Sequence, residues 1–178
     1  MSIAALPFAF NVEALQRELA AHPEAWDRYR WRTEHPRSPH REASDIWLRY
    51  NALENFGPHF NDPHEAVWYP VASNLPSARA IAETVADIRN QPLAGVLITR
   101  IPAHKQVYPH IDRGWHAENT DKVGVLIEGN RHQQFCFEGV SHECDEGECF
   151  WFSNQTPHWV LNPSAQDRTT LIVCLRRH

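Results

Sequence analysis

Short apolar segments follow one another about every ten residues from residue 94 to the end of the chain. Residues 94–101 are mostly apolar, and the alternation of Val123, Val125 and Ile127 is typical of a strand that buries one face. Further strand-like runs come at residues 135–137, 150–152, 158–161 and 169–175. Seven or eight short strands with this spacing predict a β-sandwich or a β-barrel.

The first half of the chain shows helical periodicity instead. Asn11 is placed to cap a predicted helix over residues 12–21, and residues 77–90 form a second amphipathic helix. The apolar stripe of the second helix contains Ala78, Ile81, Ala82, Val85 and Ile88. Residues 46–50 are predicted to form one strand in this half. We therefore expect a mainly β protein with N-terminal helices packed on the outside of the β core.

The chain has no internal repeat and no low-complexity segment that would mark a domain boundary. Its 178 residues are enough for one domain with a substantial core, and 42% hydrophobic residues argue against disorder. We expect a single domain over residues 1–178. In this interpretation, residues 1–93 form a helical and mixed support, and residues 94–178 form the β core with the metal site.

Charge argues against a nucleic-acid partner. The net charge is −5 with histidine neutral, so the chain lacks the general positive field that non-specific binding to nucleic acid requires. A local basic stripe consists of Arg28, Arg30, Arg32, Arg37 and Arg41. Glu34 and Glu42 interrupt this stripe, and we interpret it as a solvated face.

The cysteines and the N-terminus bear on the cellular compartment. None of the four cysteines forms a Cys-x-x-Cys pair, so a zinc ribbon is not supported and free thiols are expected. The N-terminus lacks a basic region followed by a long apolar run, and no segment reaches transmembrane length. We expect a cytoplasmic protein with no membrane partner. The oligomeric state is not readable from the sequence.

Four residues in one order indicate metal chemistry. His110 and Asp112 are two positions apart, and on an extended strand both side chains point to the same side. A distant histidine, His158, completes a set of two imidazoles and one carboxylate, which is the facial triad of non-haem iron oxygenases. Arg168 follows ten residues later, where a guanidinium is able to form a bidentate pair with a carboxylate.

The surroundings of these residues resemble a known family. The pattern Gly-Glu followed by Phe, His-x-Val-x-Asn and Arg-x-x-Leu is found at Gly147, Glu148, Phe152, His158, Val160, Asn162, Arg168 and Leu171. Together with His110 and Asp112, the chain resembles the aspartyl/asparaginyl β-hydroxylase-like group of Fe(II)/2-oxoglutarate dioxygenases, which includes bacterial proline hydroxylases. The resemblance covers roughly residues 44–176. It implies a double-stranded β-helix core of the jelly-roll, cupin-like type.

The resemblance also implies roles for individual residues. His110, Asp112 and His158 would hold Fe(II), and Arg168 would bind the distal carboxylate of 2-oxoglutarate. The implied reaction uses O2 to hydroxylate a C–H bond of an amino acid or a peptidyl substrate, with release of succinate and CO2. The loops over residues 51–65 and 113–121 are the expected sites of substrate selection.

One stretch departs from the family pattern. Members often carry an Arg-x-His element at the start of the strand after the His-x-Asp motif, whereas this chain has Lys122 and Gly124 at those positions. The sequence therefore does not identify the residues that would contact the proximal end of 2-oxoglutarate. Lys122 and Arg100 are candidates for pairing with a substrate carboxylate, but we favour surface charges for both. His116 is a candidate for approaching substrate, but we favour a surface loop for it. Trp151 is a candidate for lining the pocket.

Two alternatives remain at this point. The first is a cupin-type metalloenzyme that uses the triad without 2-oxoglutarate, and it would not need Arg168. The second is a non-catalytic β-barrel binding module, which would have no tight metal site. Substitution of Arg168 distinguishes the leading interpretation from the first alternative, because a cosubstrate-binding arginine predicts recovery at high 2-oxoglutarate.

Overall fold

The structure, a computed structural model, describes residues 2–177. In this part of the chain the strands are β1 (Ile3–Ala9), β2 (Ser44–Tyr50), β3 (Val67–Trp68), β4 (Leu93–Ile101), β5 (Gln106–His110), β6 (Thr120–Glu128), β7 (Gln134–Phe137), β8 (Val140–His142), β9 (Glu148–Phe152), β10 (His158–Leu161) and β11 (Arg168–Arg176). The α-helices are α1 (Glu13–Ala21), α2 (Pro76–Arg89) and α3 (Trp115–Glu118). Short 3-10 helices lie at Pro23–Ala25, Leu53–Asn55 and Pro70–Asn74.

The strands form two antiparallel sheets. The larger sheet has seven strands in the order β1-β9-β6-β11-β4-β2-β3, and the smaller has four in the order β5-β10-β7-β8. An apolar cluster contains residues from both sheets, including Leu126 and Phe150 of the larger sheet and Phe135 and Val160 of the smaller one. The mainly β, jelly-roll core predicted from the strand spacing and the resemblance is therefore confirmed.

The outer face of the larger sheet is covered by α1 and α2. Val123, Val125 and Ile127 point to this side, as their alternation predicts, and share a cluster with Leu15 of α1 and Val85 of α2. Asn11 Oδ1 accepts a hydrogen bond from Glu13 N at the start of α1. The prediction that Ile88 belongs to the buried stripe was wrong: this residue lies in the last turn of α2 and is 52% exposed.

The inner face of the larger sheet is divided into an apolar and a polar part. Gly124 pairs with both Phe150 and Ile172, and these positions face the smaller sheet. Toward the other end of the same strands, the register places Lys122 opposite Cys174 and Phe152. The polar part contains the side chains that form the candidate site.

The N-terminal part contributes three strands to the larger sheet. β1 was not predicted, because its sequence Ile-Ala-Ala-Leu-Pro-Phe-Ala does not alternate and contains Pro7. It becomes a strand by pairing with β9, which lies more than 130 residues later in the chain and matches Ile3 with Phe152. β2 and β3 extend the opposite edge beyond β4. Residues before position 94 therefore form part of the sheet as well as its helical cover.

All four cysteines are buried and carry free thiols, in line with expectation. Burial raises the pKa of the Cys149 thiol to about 12, so this thiol stays protonated at neutral pH. Within residues 2–177, no helix combines the length and the apolar character needed to cross a membrane.

Candidate metal and cosubstrate site

Two histidines meet where neighbouring strands of the smaller sheet come together. His110 ends β5, His158 begins β10, and the two are directly paired in the antiparallel register. Their ring centroids are 4.3 Å apart. Strand pairing therefore brings together two imidazoles that are 48 residues apart in sequence.

Each imidazole is oriented by a backbone carbonyl two residues earlier. His110 Nδ1 lies 2.8 Å from Tyr108 O, and His158 Nδ1 lies 2.9 Å from Thr156 O. A carbonyl oxygen accepts only, so each Nδ1 carries the proton and donates it, which leaves the Nε2 lone pair free for a metal ion. His110 Nε2 is buried and has no hydrogen-bond partner among the described residues.

Asp112 supplies a carboxylate beside these two rings. It lies just beyond the end of β5 rather than within the strand, and its backbone N–H donates to Asn154 O at 3.1 Å. Asp112 Oδ1 is 3.4 Å from His110 Nε2. One potential ligand atom from each of His110, Asp112 and His158 lies within 4.8 Å of the others. This donor set, here called the metal triad, fits a divalent metal ion bound on one face.

Lys122 forms an ion pair with the carboxylate of the triad. Its Nζ lies 2.5 Å from Asp112 Oδ2, and only 12% of the lysine side chain is exposed. Burial by itself would raise the pKa of Asp112, but Lys122, His110 and His158 outweigh burial and hold that pKa well below its usual range. The expectation that Lys122 is a surface charge was wrong, because the register of β6 turns it inward.

Arg168 lies in the same cavity as the metal triad. This inner cavity is lined by Arg168 and the triad together with Thr99, Ile101, Phe135, Phe152, Val160 and Ile172. Arg168 is 1% exposed, and its Nη1 and Nη2 have no hydrogen-bond partner within residues 2–177. Burial lowers the pKa of this guanidinium. A buried guanidinium with two unpaired donors fits a carboxylate ligand, because two parallel hydrogen bonds would satisfy both nitrogens.

The same cavity contains two residues that the sequence interpretation missed. Arg32 comes from the loop before β2, and its guanidinium donates to both carboxylate oxygens of the buried Asp45, at 2.6 and 2.8 Å. The ring of His40 stands against that of His110 with a centroid separation of 4.5 Å. Arg32 was assigned to a solvated basic stripe. That assignment was wrong, because its partner Asp45 lies on β2 and no local pattern reveals the pairing.

Three further residues differ from expectation. His116 is 9% exposed and lies in α3 rather than in a surface loop. Trp151 pairs with Val123 and so points to the outer face of the sheet, away from the inner cavity. Arg100 is half-buried, with its guanidinium 4.2 Å from the ring centroid of Trp26.

Gly124 has a steric explanation. The ring of Phe150 lies directly over it, so that a Cβ at this position would overlap the ring. An aromatic side chain from β9 thus fills the space above this position, and glycine is the residue that leaves room for the ring.

Comparison with known proteins agrees with this geometry. The family described as aspartyl/asparaginyl beta-hydroxylase matches residues 9–178. No curated protein shows a significant sequence match to the chain.

Solved structures with the same fold include an oxidoreductase of the 2OG-Fe(II) oxygenase family from Burkholderia pseudomallei. It has 16% identity and a TM-score of 0.62, with 99% of this chain and 85% of that chain covered. A viral collagen prolyl hydroxylase from Paramecium bursaria Chlorella virus-1, in complex with 2OG, has 10% identity and a TM-score of 0.56, with 100% and 97% covered. A Pseudomonas putida prolyl-4-hydroxylase has 14% identity and a TM-score of 0.52, with 99% and 93% covered. At these identities, the likeness supports the fold.

The family match extends over nearly the whole chain, and it includes His110, Asp112, His158 and Arg168. The chain belongs to the aspartyl/asparaginyl β-hydroxylase family of dioxygenases.

Proposed function

We propose that this protein is an Fe(II)- and 2-oxoglutarate-dependent dioxygenase that hydroxylates a C–H bond of an amino acid or a peptidyl substrate, with release of succinate and CO2. One observation carries the proposal: the metal triad and the unpaired guanidinium of Arg168 line one cavity. Residues 1–178 are proposed to act as one domain, since β1 and β11 belong to the same sheet.

His110, Asp112 and His158 are the proposed metal ligands. Each imidazole presents Nε2, because its Nδ1 proton is engaged by a backbone carbonyl. Lys122 holds Asp112 Oδ2 and leaves Oδ1, the oxygen nearer His110, as the proposed ligand atom. The bound iron would supply the activation of O2 coupled to oxidative decarboxylation of 2-oxoglutarate.

Arg168 is the proposed partner of the distal carboxylate of 2-oxoglutarate. A bidentate pair with its two free Nη groups fixes both the position and the direction of a dicarboxylate. The apolar side chains of Ile101, Val160 and Ile172 surround this part of the cavity. They exclude water, which strengthens the charge-assisted contact and limits side reactions.

The substrate class is proposed from the family and from its structural neighbours. Two neighbours of similar fold are named as prolyl hydroxylases, one of collagen. The loops expected to select substrate contribute Phe60 and Arg113 to a space beside the metal triad. This position supports their role in substrate contact.

Succinate formation is the test of the proposal. The protein is loaded anaerobically with Fe(II), mixed with 2-oxoglutarate and exposed to O2 in the presence of a pool of amino acids and peptides. Succinate that requires iron, O2 and His158 supports the proposal, with His158→Ala as the inactive variant. His132→Ala is the matched control, because His132 is exposed and lies outside the inner cavity.

The alternatives predict different results in two further measurements. If iron-loaded Arg168→Met consumes O2 with the same substrate pool in the absence of 2-oxoglutarate, a cupin metalloenzyme of another kind is indicated. If neither iron nor 2-oxoglutarate binds in anaerobic absorbance titrations, the protein is a non-catalytic module and the proposal fails. Binding without turnover directs the search to substrates outside the pool.

A further inference from the structure

A second chamber adjoins the inner cavity on the other side of Asp112. It is lined by Trp47, Arg49, Tyr50, Phe60, Arg113 and His116. Asp112 and Lys122 line both spaces, so the two communicate at the metal triad. A molecule in the second chamber would therefore lie beside the proposed iron without occupying the pocket of Arg168.

The second chamber is rich in positive charge. Asp112 is the one acidic residue among its lining residues, and Lys122 already neutralises it. Arg113 is exposed and has neither an ion pair nor a side-chain hydrogen bond with the described residues. The guanidinium of Arg49 lies over the ring of Trp68, 5.4 Å from its centroid, and therefore adds no unpaired charge to this rim. An anionic group is the ligand that this arrangement lacks.

The inner wall of the chamber offers a second unmet hydrogen bond. His116 is nine-tenths buried, and its Nε2 has no partner among residues 2–177. This nitrogen lies over Gly95, at 2.8 Å from the position that a Cβ would take. Burial lowers the pKa of His116 to about 3, so its ring is neutral at physiological pH. A neutral imidazole is able to form a hydrogen bond with an uncharged polar group.

Aromatic rings bound the space between these polar groups. Tyr50 stands against His116 with ring centroids 4.7 Å apart, and Tyr50 also contacts Trp47 and Phe60 at 5.0 and 5.7 Å. Such walls fit the apolar or flat body of a small molecule. The chamber thus combines an anion-binding rim, an apolar middle and a buried hydrogen-bonding group.

We propose that the second chamber binds the substrate and that this substrate is a small carboxylic acid. In this arrangement Arg113 pairs with the carboxylate, and His116 Nε2 forms a hydrogen bond with an uncharged polar group. A carboxylate matches the single guanidinium of Arg113, which lacks a counter-ion. The inference rests on the proposed function, because it assigns the second chamber to the substrate of the same metal site.

Binding measurements test the inference independently of turnover. The full chain, loaded anaerobically with Fe(II) and 2-oxoglutarate, is titrated with free and N-acetylated amino acids and with the primary amide of each. Saturation-transfer NMR and tryptophan fluorescence report binding. We expect at least one acid to bind about tenfold or more tightly than its amide, as a charge-assisted pair predicts.

Substitutions test which residues cause the preference for an acid over its amide. Arg113→Gln is expected to abolish the preference for acid over amide, whereas the control Arg37→Gln keeps it, because Arg37 is exposed and lies outside the chamber. His116→Phe is expected to weaken both members of a pair about equally and to leave their ratio unchanged. All three variants should retain wild-type binding of 2-oxoglutarate, which is assigned to Arg168.

The outcomes that overturn the inference differ from failure of the proposed function. The inference is overturned if amides bind as well as acids, if the preference for acids survives in Arg113→Gln, or if no acid binds. Each of these results counts against the inference when 2-oxoglutarate still binds to the wild-type protein. Loss of 2-oxoglutarate binding in the wild-type protein would instead contradict the proposed function.

Discussion

Lys122 Nζ lies 2.5 Å from Asp112 Oδ2 inside the β-sandwich, and both side chains are largely buried. The ammonium thus occupies one oxygen of the carboxylate, and the other faces His110. In the metal-free protein this pair balances a charge that would otherwise be isolated in a site of low polarity. The lysine therefore holds the carboxylate in position before a metal ion binds.

Lys122→Met should destabilise the metal-free protein by about 3 kcal/mol, because it leaves a buried carboxylate without its counter-charge. Urea denaturation measures the free energy of unfolding. Lys105→Met is the matched control, since Lys105 is exposed. Saturating Mn(II) should reduce the difference in unfolding free energy between wild type and Lys122→Met, because the cation replaces the lost positive charge. An equal loss with and without Mn(II) would refute this explanation.

Arg168→Met is expected to leave the metal-free protein as stable as the wild type or more stable by about 1–2 kcal/mol, since it removes a buried charge that has unpaired donors. The same variant should lose the increase in melting temperature that 2-oxoglutarate gives the metal-loaded wild type. Thermal unfolding with and without 2-oxoglutarate measures both effects. Arg131→Met is the control, because Arg131 is an exposed residue paired with Asp145. Marked destabilisation of the ligand-free Arg168 variant would show that the guanidinium has a structural role.

His116 should make the protein sensitive to acid. Its folded pKa is lowered to about 3 by burial, followed by the charge of Lys122, whereas an unfolded histidine titrates near 6.5. Between these values the unfolded state binds the extra proton, so stability falls as the pH decreases from 6.5 toward 3. Wild type should lose up to about 1.4 kcal/mol per pH unit relative to His116→Gln.

Urea denaturation at several pH values compares the two proteins. His132→Gln is the control, because His132 is exposed and its substitution should give no such pH-dependent difference. A constant difference between wild type and His116→Gln over this range would contradict the prediction.

Gly124→Ala should lower the free energy of unfolding by about 1–3 kcal/mol, because the new methyl group meets the fully buried ring of Phe150. Phe150→Leu removes the overlapping ring edge. The combined variant should therefore be less destabilised than the sum of the two single changes, and a double-mutant cycle by chemical denaturation measures this coupling. Additive losses would mean that the backbone, rather than the ring, limits this position.

The convergence of the four proposed site residues was predictable from sequence, because it depends on strand period and on the order of a few residues. His110, Asp112, His158 and Arg168 were all named, and the structure brings them into one cavity. The sequence argument placed His110 and Asp112 on one strand, whereas β5 ends at His110 and Asp112 lies beyond it. The two side chains nevertheless converge, as that argument predicted.

The remaining site residues depend on contacts that leave no local pattern. Arg32 is buried by its pairing with Asp45 and by Thr99, which is 67 residues away in sequence. His116 belongs to a helix of one turn, too short for periodicity to be recognised. β1 is a strand because β9 pairs with it, and its own sequence does not alternate.

The two imidazoles of the metal triad take their orientation from carbonyls in their own strand segments, at Tyr108 and Thr156. Each ligand and the group that selects its tautomer therefore form a three-residue unit, which requires no partner from elsewhere in the fold. Side chains in the second chamber can then change without altering which nitrogen faces the metal. Such modularity would let residues that contact substrate vary while the two proposed metal ligands keep their orientation.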